Sequence, residues 1–241
     1  MIPIVVGISG VKQAGKSTVT TAIYDWCHDI QINKNCPSYV AGCVVKSFAD
    51  NLKNFLISSM GLQYNQCYGS DEEKNSLTEY RWENLPLDIR EAYSNDEAVI
   101  GDVLGNETNV VVLPRAGYLT ARELMQIFGT DIMRNMFSQD IWVNSTLSVI
   151  MESTAMLHII QDVRFVSEVD GILGLPNGYV IRLNRKPHQD SHPSETALDS
   201  YDWSNDGAGS RVALINNSHF SIEETNEMAI NCVSRWMEIE E

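Results

Sequence analysis

The segment that most constrains the fold is a glycine-framed loop directly after the first apolar run. Residues 10–18 read GVKQAGKST, and residues 2–9 before them read IPIVVGIS. The glycines let the backbone curl so that successive N–H groups point inward, and the helix predicted after the loop brings its positive end to the same place. The spacing Gly-x-x-x-x-Gly-Lys-Ser is typical of a loop that holds the phosphates of a nucleoside triphosphate.

Individual residues of this loop have predictable roles. The Lys16 ammonium reaches the β- and γ-phosphates in such a loop, and the Ser17 hydroxyl is a ligand for Mg²⁺. Lys12 has two open interpretations, a second phosphate contact or a solvated side chain. The predicted nucleotide-binding set is Gly10, Lys12, Ala14, Gly15, Lys16, Ser17 and Thr18.

The rest of the chain alternates between short apolar runs and helical patterns. Strand-like runs lie at about 2–8, 41–47, 110–113, 156–161, 178–183 and 212–215. This alternation predicts an α/β fold with a central parallel sheet and helices on both faces, in one domain over residues 1–241. Ser221 is the predicted N-cap of a final helix that packs on the core through Ile222, Ala229, Ile230, Val233 and Met237.

Two stretches do not fit the alternation. Residues 71–107 contain eleven acidic and three basic side chains, so they predict an acidic, partly irregular surface excursion within about 62–109. Residues 185–211 are rich in Pro, Ser, Asp and Gly. Long connections of this kind in compact domains are usually lids or disordered linkers, and the residues alone leave both interpretations open.

Charge and composition exclude several classes of partner. The chain has 17 Lys and Arg against 32 Asp and Glu, a net charge of −15, which repels nucleic acid polymers. Its apolar runs are too short for a membrane span. The N-terminal MIPIVV predicts a first strand and not a signal peptide. Five cysteines without a CxxC pair indicate reduced thiols in a cytoplasmic protein.

A carboxylate follows the apolar strand within MLHIIQDVR. In a parallel sheet, residues just beyond the carboxyl end of a strand face the ligand crevice, so Asp162 could orient Mg²⁺ through water and Arg164 could neutralise phosphoryl charge. The alternative for Asp162 is to cap the next helix. His158, inside this strand, is interpreted as a buried and hydrogen-bonded structural residue.

Further candidates for a second substrate lie between residues 50 and 142. Within LTARELMQIFGTDIMRNMF a polar stripe recurs every four residues along one predicted helix, formed by Arg122, Gln126, Thr130 and Arg134. Guanidinium groups hold phosphate and an amide can contact a base, although the solvated face of an amphipathic helix has the same pattern. Lys53 is a phosphate contact or a surface lysine, and Trp142 either stacks on a base or packs in the core.

Several segments together resemble the phage-type deoxynucleoside monophosphate kinases. They are SGVKQAGKST, FADNLK, ARELMQIFGTDIMRNMFSQDIWV, DVRFVSEVDGI, VIRLNRK and SHPSETALD, in this order, and only the 71–107 excursion is unmatched. The resemblance implies a P-loop fold of three αβα layers, similar to nucleoside monophosphate kinases, with lid and acceptor-binding excursions. It also implies ATP and Mg²⁺ as the cofactors.

The resemblance also implies roles for residues. Lys16 and Ser17 would hold ATP with its metal, Lys53 and Arg122 would bind the acceptor phosphate, and Arg164 would bridge the two phosphoryl groups. Near the acceptor base it places Gln126 and Trp142, and in the lid Arg185, His192 and Glu195. The segment INNSHFS resembles a family segment near the adenine, which makes Asn217 a candidate there. In total the predicted catalytic residues are Lys16, Asp162, Arg164 and Arg185.

The expected reaction is therefore ATP + dNMP to ADP + dNDP, on free nucleotides and without a membrane or nucleic acid polymer. Two alternatives remain open: a kinase acting on a modified base in DNA, and a P-loop module that binds nucleotide without transfer. The resemblance allows a homodimer and indicates a cytoplasmic protein, in the host cytoplasm if the gene belongs to a phage.

Overall fold

The computed structural model describes residues 2–33, 41–94, 97–101, 108–185, 196–203 and 211–238. Two compact units are present. The first unit combines Met1–Asn51 with Trp142–Glu241, and the second unit is Leu52–Ile141. The prediction of one domain with excursions is not tested by this division and stays a prediction.

The first unit contains a five-stranded parallel sheet. Its spatial order is β2, β7, β1, β8, β9, so the strand that carries the phosphate loop is central. The bounds are β1 (Ile4–Ser9), β2 (Ala41–Lys46), β7 (Ala155–Val163), β8 (Gly178–Leu183) and β9 (Val212–Ile215). The predicted α/β class with a central parallel sheet is therefore confirmed.

Helices cover both faces of this sheet. On one face, α1 (Lys16–Asn33) and α9 (Ile222–Trp236) bury a cluster that includes Ile8, Ile23, Leu157, Ile181, Ala229 and Val233. On the other face, α7 (Ile141–Met151, in the first unit from Trp142) and α8 (Val166–Leu173) bury a second cluster. It includes Val5, Val143, Ile150, Ile160, Val169 and Ile172. This arrangement gives the three layers that the family resemblance implied.

The last helix follows its predicted cap. The Ser221 hydroxyl accepts a hydrogen bond from the backbone N–H of Glu224, and the Glu224 carboxylate accepts one from the backbone N–H of Ser221. Ala229 and Val233 are buried as expected. Ile222 was expected in the core, but 60% of it is exposed, and it lines a cavity described below.

One predicted strand belongs to a different sheet. Residues 108–112 form β5, which pairs antiparallel with β4 (Glu97–Gly101) in the second unit. The expectation that 110–113 is a strand of the parallel sheet is therefore wrong. Its apolar run, which gave rise to that expectation, cannot distinguish a parallel strand from half of a hairpin, because strand pairing is non-local.

The second unit begins with α2 (Asp50–Met60, in this unit from Leu52) and α3 (Tyr64–Tyr68). The acidic stretch that follows contains short elements, which are α4 (Asp71–Lys74), β3 (Leu77–Arg81), a 3₁₀ turn (Trp82–Asn84) and α5 (Leu87–Ala92), followed by β4. β3 pairs antiparallel with β6 (Tyr118–Thr120). Trp82 is fully buried and Ile89 is nearly so, so the stretch has apolar anchors and is more than an irregular surface excursion.

The predicted polar helix changes its winding. Ala121–Gln126 form α6 and Ile127–Phe137 continue as a π-helix. Because a π-helix pairs each residue with the fifth along the chain, side chains spaced by four do not keep to one face beyond Gln126. Gly129 is buried in the π segment, and a Cβ there would lie 2.7 Å from Leu52 Cδ2. The expectation of one α-helical stripe is therefore wrong, and this close contact is a packing feature of the widened turn.

The segment predicted as a lid contains a packed piece. Leu198 is buried in the core cluster that also holds Ile160 and Ile172. The Tyr201 hydroxyl donates a hydrogen bond to Asp170 Oδ1 at 2.8 Å. Residues 196–203 therefore pack on the first unit and are not a structureless connection. Residues 186–195 and 204–210, which complete the predicted lid, lie outside the described ranges.

Cys27, Cys43, Cys67 and Cys232 are free thiols, and Cys36 falls outside the described ranges. None of the helices in the described part of the chain combines the length and the hydropathy that a membrane span requires.

Candidate active site

The loop after β1 curls around the Lys16 side chain. Lys16 Nζ donates hydrogen bonds to the carbonyl oxygens of Gly10 (2.7 Å) and Val11 (2.9 Å), so the ammonium lies inside the loop at the start of α1. Gly15 has φ of +105°, which side-chain-bearing residues rarely adopt. A Cβ on Gly10 would lie 3.1 Å from Ala14 Cβ and 3.3 Å from the Leu183 carbonyl oxygen. Both glycines of the motif are thus required by the shape of the loop.

An ion cluster forms where β7 ends beside this loop. Asp162 Oδ1 lies 3.2 Å from Lys16 Nζ, and Asp162 Oδ2 accepts a hydrogen bond from Arg164 Nε at 2.8 Å. Asp162 therefore sits between two cations at the carboxyl edge of the sheet, as strand-end geometry predicts. The structure brings Lys16, Asp162 and Arg164 together, although their parts in transfer remain proposals.

The turn that carries Asp162 is strained and well supported. Asp162 has φ of +67°, in the left-handed region that costs most non-glycine residues about 1 kcal/mol. The buried Glu168 carboxylate accepts hydrogen bonds from the backbone N–H groups of Arg164 (2.8 Å) and Phe165 (3.2 Å). Strain of this kind persists where the surroundings determine the backbone. Because the N-cap residue of α8 is Phe165, the alternative role of Asp162 as the cap of this helix is wrong.

Asn217 connects three separate parts of the site. Its Nδ2 donates to the Ala14 carbonyl oxygen at 2.8 Å, and its Oδ1 accepts from the Arg185 backbone N–H at 3.1 Å. Only 6% of the residue is exposed. Its amide contacts the backbone at both ends, so Asn217 supports the phosphate loop, and its predicted place near the adenine stays a prediction.

A cavity of about 170 Å³ opens beside the loop and Asn217. It lies between the start of α1, the end of β8 and the start of α9. Its lining combines apolar and polar groups: Gln13, Ala14, Gly15, Thr18, Val19, Arg185, Asn217, Phe220, Ser221, Ile222, Thr225 and Asn226. A cavity of mixed lining next to a phosphate loop is suited to the base and ribose of a nucleotide.

We expect Asn217→Asp to weaken nucleotide binding. The substitution places a carboxylate oxygen against the Ala14 carbonyl oxygen in place of the donor, and a lost buried hydrogen bond of this kind costs about 1–3 kcal/mol. The KM for ATP should rise about tenfold while kcat changes much less.

The matched control for this change is Asn216→Asp, since Asn216 is exposed and would carry the same added charge one residue away. Initial rates at varied ATP concentration measure both variants. Equal increases in KM in the two would show that added charge, and not the contact with the loop, causes the effect.

The candidates in the second unit have their own partners. Lys53 Nζ lies 4.3 Å from the centre of the Tyr68 ring, and Arg122 pairs with Asp71 at 2.5 Å. Gln126 and Thr130 are exposed, and Arg134 is half-buried. The guanidinium of Arg115 pairs with Glu123 at 2.6 Å and lies 5.0 Å from the centre of the Trp82 ring. Acceptor binding by these residues stays a prediction.

The remaining predicted residues have mixed outcomes. Trp142 is 7% exposed at the start of α7, and its contact with a base stays a prediction. His158 is fully buried, and neither ring nitrogen has a hydrogen-bond partner among the described residues, so the expectation of a hydrogen-bonded histidine is wrong. Burial, and then the charge of Lys46, lowers the pKa of His158 and keeps its ring neutral. His192 and Glu195 lie outside the described residues.

Sequence reasoning missed two residues that support the site. Glu168 accepts hydrogen bonds from the backbone before α8, and its only signal in the sequence was a Glu placed four residues after Arg164. Arg182 lies on β8 and is 6% exposed. The sequence analysis predicted a role for Arg185 in the same segment but none for Arg182. A basic residue at a strand position is expected at an edge or surface, so burial of Arg182 depends on the sheet order.

A family model described as deoxynucleotide monophosphate kinase matches residues 78–207, more than half of the chain. The chain belongs to this family. As a member of the deoxynucleotide monophosphate kinase family it is a phosphotransferase, and the kinase family implies the use of ATP and small nucleotide substrates. The family model extends over both units and ends beyond Asp162, Arg164 and Arg185.

Two relatives of this kinase come from viruses. A protein of Acanthamoeba polyphaga mimivirus named "Putative deoxynucleotide monophosphate kinase" is 26% identical over 249 residues, which cover 95% of this chain and 96% of that protein. A protein of Escherichia phage T5 named "Deoxynucleoside-5'-monophosphate kinase" is 23% identical over 180 residues, 68% of this chain and 70% of that protein. The similarity to the first relative extends to the phosphate loop, which lies ahead of the family match.

Proposed function

We propose that this kinase transfers the γ-phosphoryl group of ATP to a deoxynucleoside monophosphate, giving ADP and a deoxynucleoside diphosphate. The observation that carries the proposal is the cluster of Lys16, Asp162 and Arg164 at the mouth of the phosphate loop. Two cations and a carboxylate at this place suit a γ-phosphate and its counter-ion. Membership of the family supplies the identity of the acceptor.

ATP binding is proposed to use the loop and the cavity together. The backbone N–H groups of residues 10–18 would bind the phosphates, with Lys16 reaching the β- and γ-phosphates. The cavity lined by Phe220, Arg185 and Asn226 would take the adenosine part. Asn217 would act indirectly here, by holding the Ala14 carbonyl of the loop.

Magnesium fits the residues at the loop. Asp162 Oδ1 is buried and, besides its ion pair with Lys16 Nζ at 3.2 Å, accepts no hydrogen bond within the described ranges, and the Ser17 side chain is exposed at the start of α1. Among the residues that the structure describes, no group of three or more His, Cys, Asp or Glu side chains could hold a metal ion. A nucleotide-bound Mg²⁺ needs only one or two protein ligands besides phosphates and water. We propose Ser17 and Asp162 for this role, in which the ion would neutralise phosphate charge.

The acceptor is proposed to bind through residues of the second unit. Lys53 and Arg122 would hold its phosphate, since Arg122 already pairs with the carboxylate of Asp71, which a phosphate could replace. Contacts with its sugar and base are proposed for Gln126, Thr130, Arg134, Trp142 and Glu195.

Transfer needs no covalent intermediate with the protein. An oxygen of the acceptor phosphate would attack the γ-phosphorus, and the bond from that phosphorus to the β,γ-bridging oxygen would break, leaving ADP. Lys16 and Arg164 would stabilise the charge on the transferred group, and Arg185 would add a third cation as the predicted lid closes. Catalysis of this kind depends on positioning and on charge stabilisation.

The decisive experiment measures ADP release with each dNMP and each NMP in turn, using a coupled assay. We expect turnover with at least one dNMP and ATP, and only background ADP release without an acceptor. Turnover only with duplex DNA would instead support the kinase acting on a modified base. ATP binding without transfer to any acceptor would support the non-catalytic module.

The net charge of −15 supports free nucleotides as substrates over nucleic acid polymers. The homodimer, the absence of membrane partners and the cytoplasmic location stay predictions of the sequence.

A further inference from the structure

Arg182 occupies an unusual place for a cation, buried at the carboxyl end of a central strand. Its strand β8 pairs with β1 so that Arg182 lies opposite Ser9, the residue directly before Gly10 of the phosphate loop. Only 6% of Arg182 is exposed. Because burying a charge is costly, a guanidinium at this position needs specific contacts.

One of these contacts leads to the loop and to the turn at Asp162. Arg182 Nη1 donates a hydrogen bond to Ser9 Oγ at 3.0 Å, and the Ser9 hydroxyl donates to the Val163 carbonyl oxygen at 2.9 Å. Ser9 is fully buried, so both bonds are shielded from water. These two hydrogen bonds connect the adjacent strands β8, β1 and β7 at or next to their last residues.

The hydrogen bonds from Arg182 through Ser9 matter for the site because of the position of Val163. Val163 directly follows Asp162, whose φ of +67° depends on support from its surroundings. The pairing of β1 with β7 is also irregular here, since Gly7 pairs with Ile160 but Ser9 pairs with Val163. The Ser9 hydroxyl thus restrains the residue after a strained turn, and that turn sets the 3.2 Å separation of Asp162 Oδ1 and Lys16 Nζ.

A second contact of Arg182 leads to the packed segment 196–203. The Arg182 guanidinium carbon lies 5.5 Å from the centre of the Trp203 ring, within the range of a cation–π interaction. Trp203 packs edge-on against Tyr201 with ring centres 4.7 Å apart. Burial and the hydrogen bond to Asp170 raise the pKa of Tyr201 to about 12.

We propose that Arg182 is a positioning residue for phosphoryl transfer, which acts through Ser9 on the Asp162 turn and through Trp203 on segment 196–203. This inference rests on the proposed function and adds a residue to it. Arg182 touches neither the proposed nucleotide cavity nor the Lys16 ammonium in the contacts described above. Its effect is to keep Asp162 directed at Lys16 and to connect that geometry with segment 196–203, the packed piece of the predicted lid.

The test compares Arg182→Met and Ser9→Ala with a matched control, Arg211→Met. Arg211 also lies in the first unit and donates from Nη1 to the carbonyl oxygens of Leu173 (2.7 Å) and Leu175 (3.1 Å), so it supports the end of α8. We expect Arg182→Met to lower kcat about tenfold and Ser9→Ala about threefold, with smaller changes in the KM for ATP. Arg211→Met should lower the melting temperature while leaving kcat per folded molecule unchanged.

The double variant and a fluorescence signal separate positioning from general stability. Since Ser9 and Arg182 act in one chain, Ser9→Ala with Arg182→Met should have nearly the kcat of Arg182→Met alone. ATP should also change the emission of Trp203, obtained as the difference between the wild type and Trp203→Phe, and Arg182→Met should remove this change. If Arg182→Met fails to fold, Ser9→Ala removes the same contact without loss of charge and decides the kcat result.

Wild-type kcat in both Arg182→Met and Ser9→Ala would overturn the inference, as would an ATP-induced change in Trp203 emission that persists in Arg182→Met or is absent from the wild type. The proposed function fails in a different way, through a wild type that transfers no phosphoryl group to any acceptor. In that case the Trp203 response to ATP would still decide whether Arg182 connects the loop with segment 196–203.

Discussion

Replacing Lys16 with Ala should abolish transfer, with a fall in kcat/KM of about 10³-fold or more, while the protein remains folded. The Lys16 ammonium lies inside the loop, where it contacts the carbonyl oxygens of Gly10 and Val11, so its loss removes the cation that the proposed function places against the β- and γ-phosphates. Coupled ADP release with the best dNMP measures the loss, and thermal unfolding checks the fold.

Two further variants sharpen this prediction. Lys16→Met keeps the aliphatic stem and loses only the ammonium, so it should be as inactive as Lys16→Ala. Lys74→Ala removes a lysine from α4 in the second unit and should leave kcat/KM near the wild-type value. Turnover retained by Lys16→Ala would contradict the assignment of this loop to the triphosphate.

Replacing Asp162 with Asn should lower kcat about 10²-fold, with a smaller change in the KM for ATP. Asn is among the residues that best tolerate the left-handed backbone of this position, so the substitution removes the charge without adding strain at φ of +67°. The variant loses the anionic partner of Lys16 and Arg164 and the proposed contact with hydrated Mg²⁺.

The measurement is kcat as a function of Mg²⁺ concentration. Asp162→Asn should need more Mg²⁺ for half-maximal rate than the wild type. Asp25→Asn, an equal change of charge on the exposed face of α1, serves as the control. A wild-type kcat and an unchanged Mg²⁺ requirement in Asp162→Asn would exclude the proposed role of this carboxylate.

The elements predicted correctly share a local origin. The phosphate loop is a contiguous motif in which each glycine has a backbone reason, so Gly10, Gly15 and Lys16 could be assigned from spacing alone. The position of Asp162 beside the loop could be predicted because the end of an apolar strand is visible in sequence and parallel strands end at one edge, while its part in transfer stays a prediction. The Ser221 cap likewise depends on residues within one turn.

The incorrect predictions involve choices that local patterns leave open. An apolar run such as 108–112 suits a parallel strand or a hairpin equally well. The four-residue spacing after Arg122 assumed α-helical winding, whereas the chain adopts a π-helix from Ile127. His158 was expected to be hydrogen-bonded because most buried polar groups are, but its neighbours on other elements supply no partner among the described residues.

By itself the sequence determined the α/β class, the phosphate loop and the strand-end carboxylate, because each follows from interactions between residues close in the chain. Tertiary structure alone decided that Asn217 is committed to Ala14, 203 residues away, and that Arg182 lies beneath the loop, 173 residues from Ser9. Such contacts depend on which strands become neighbours in the sheet. The order β2, β7, β1, β8, β9 is set by packing of the whole unit, and no local pattern contains it.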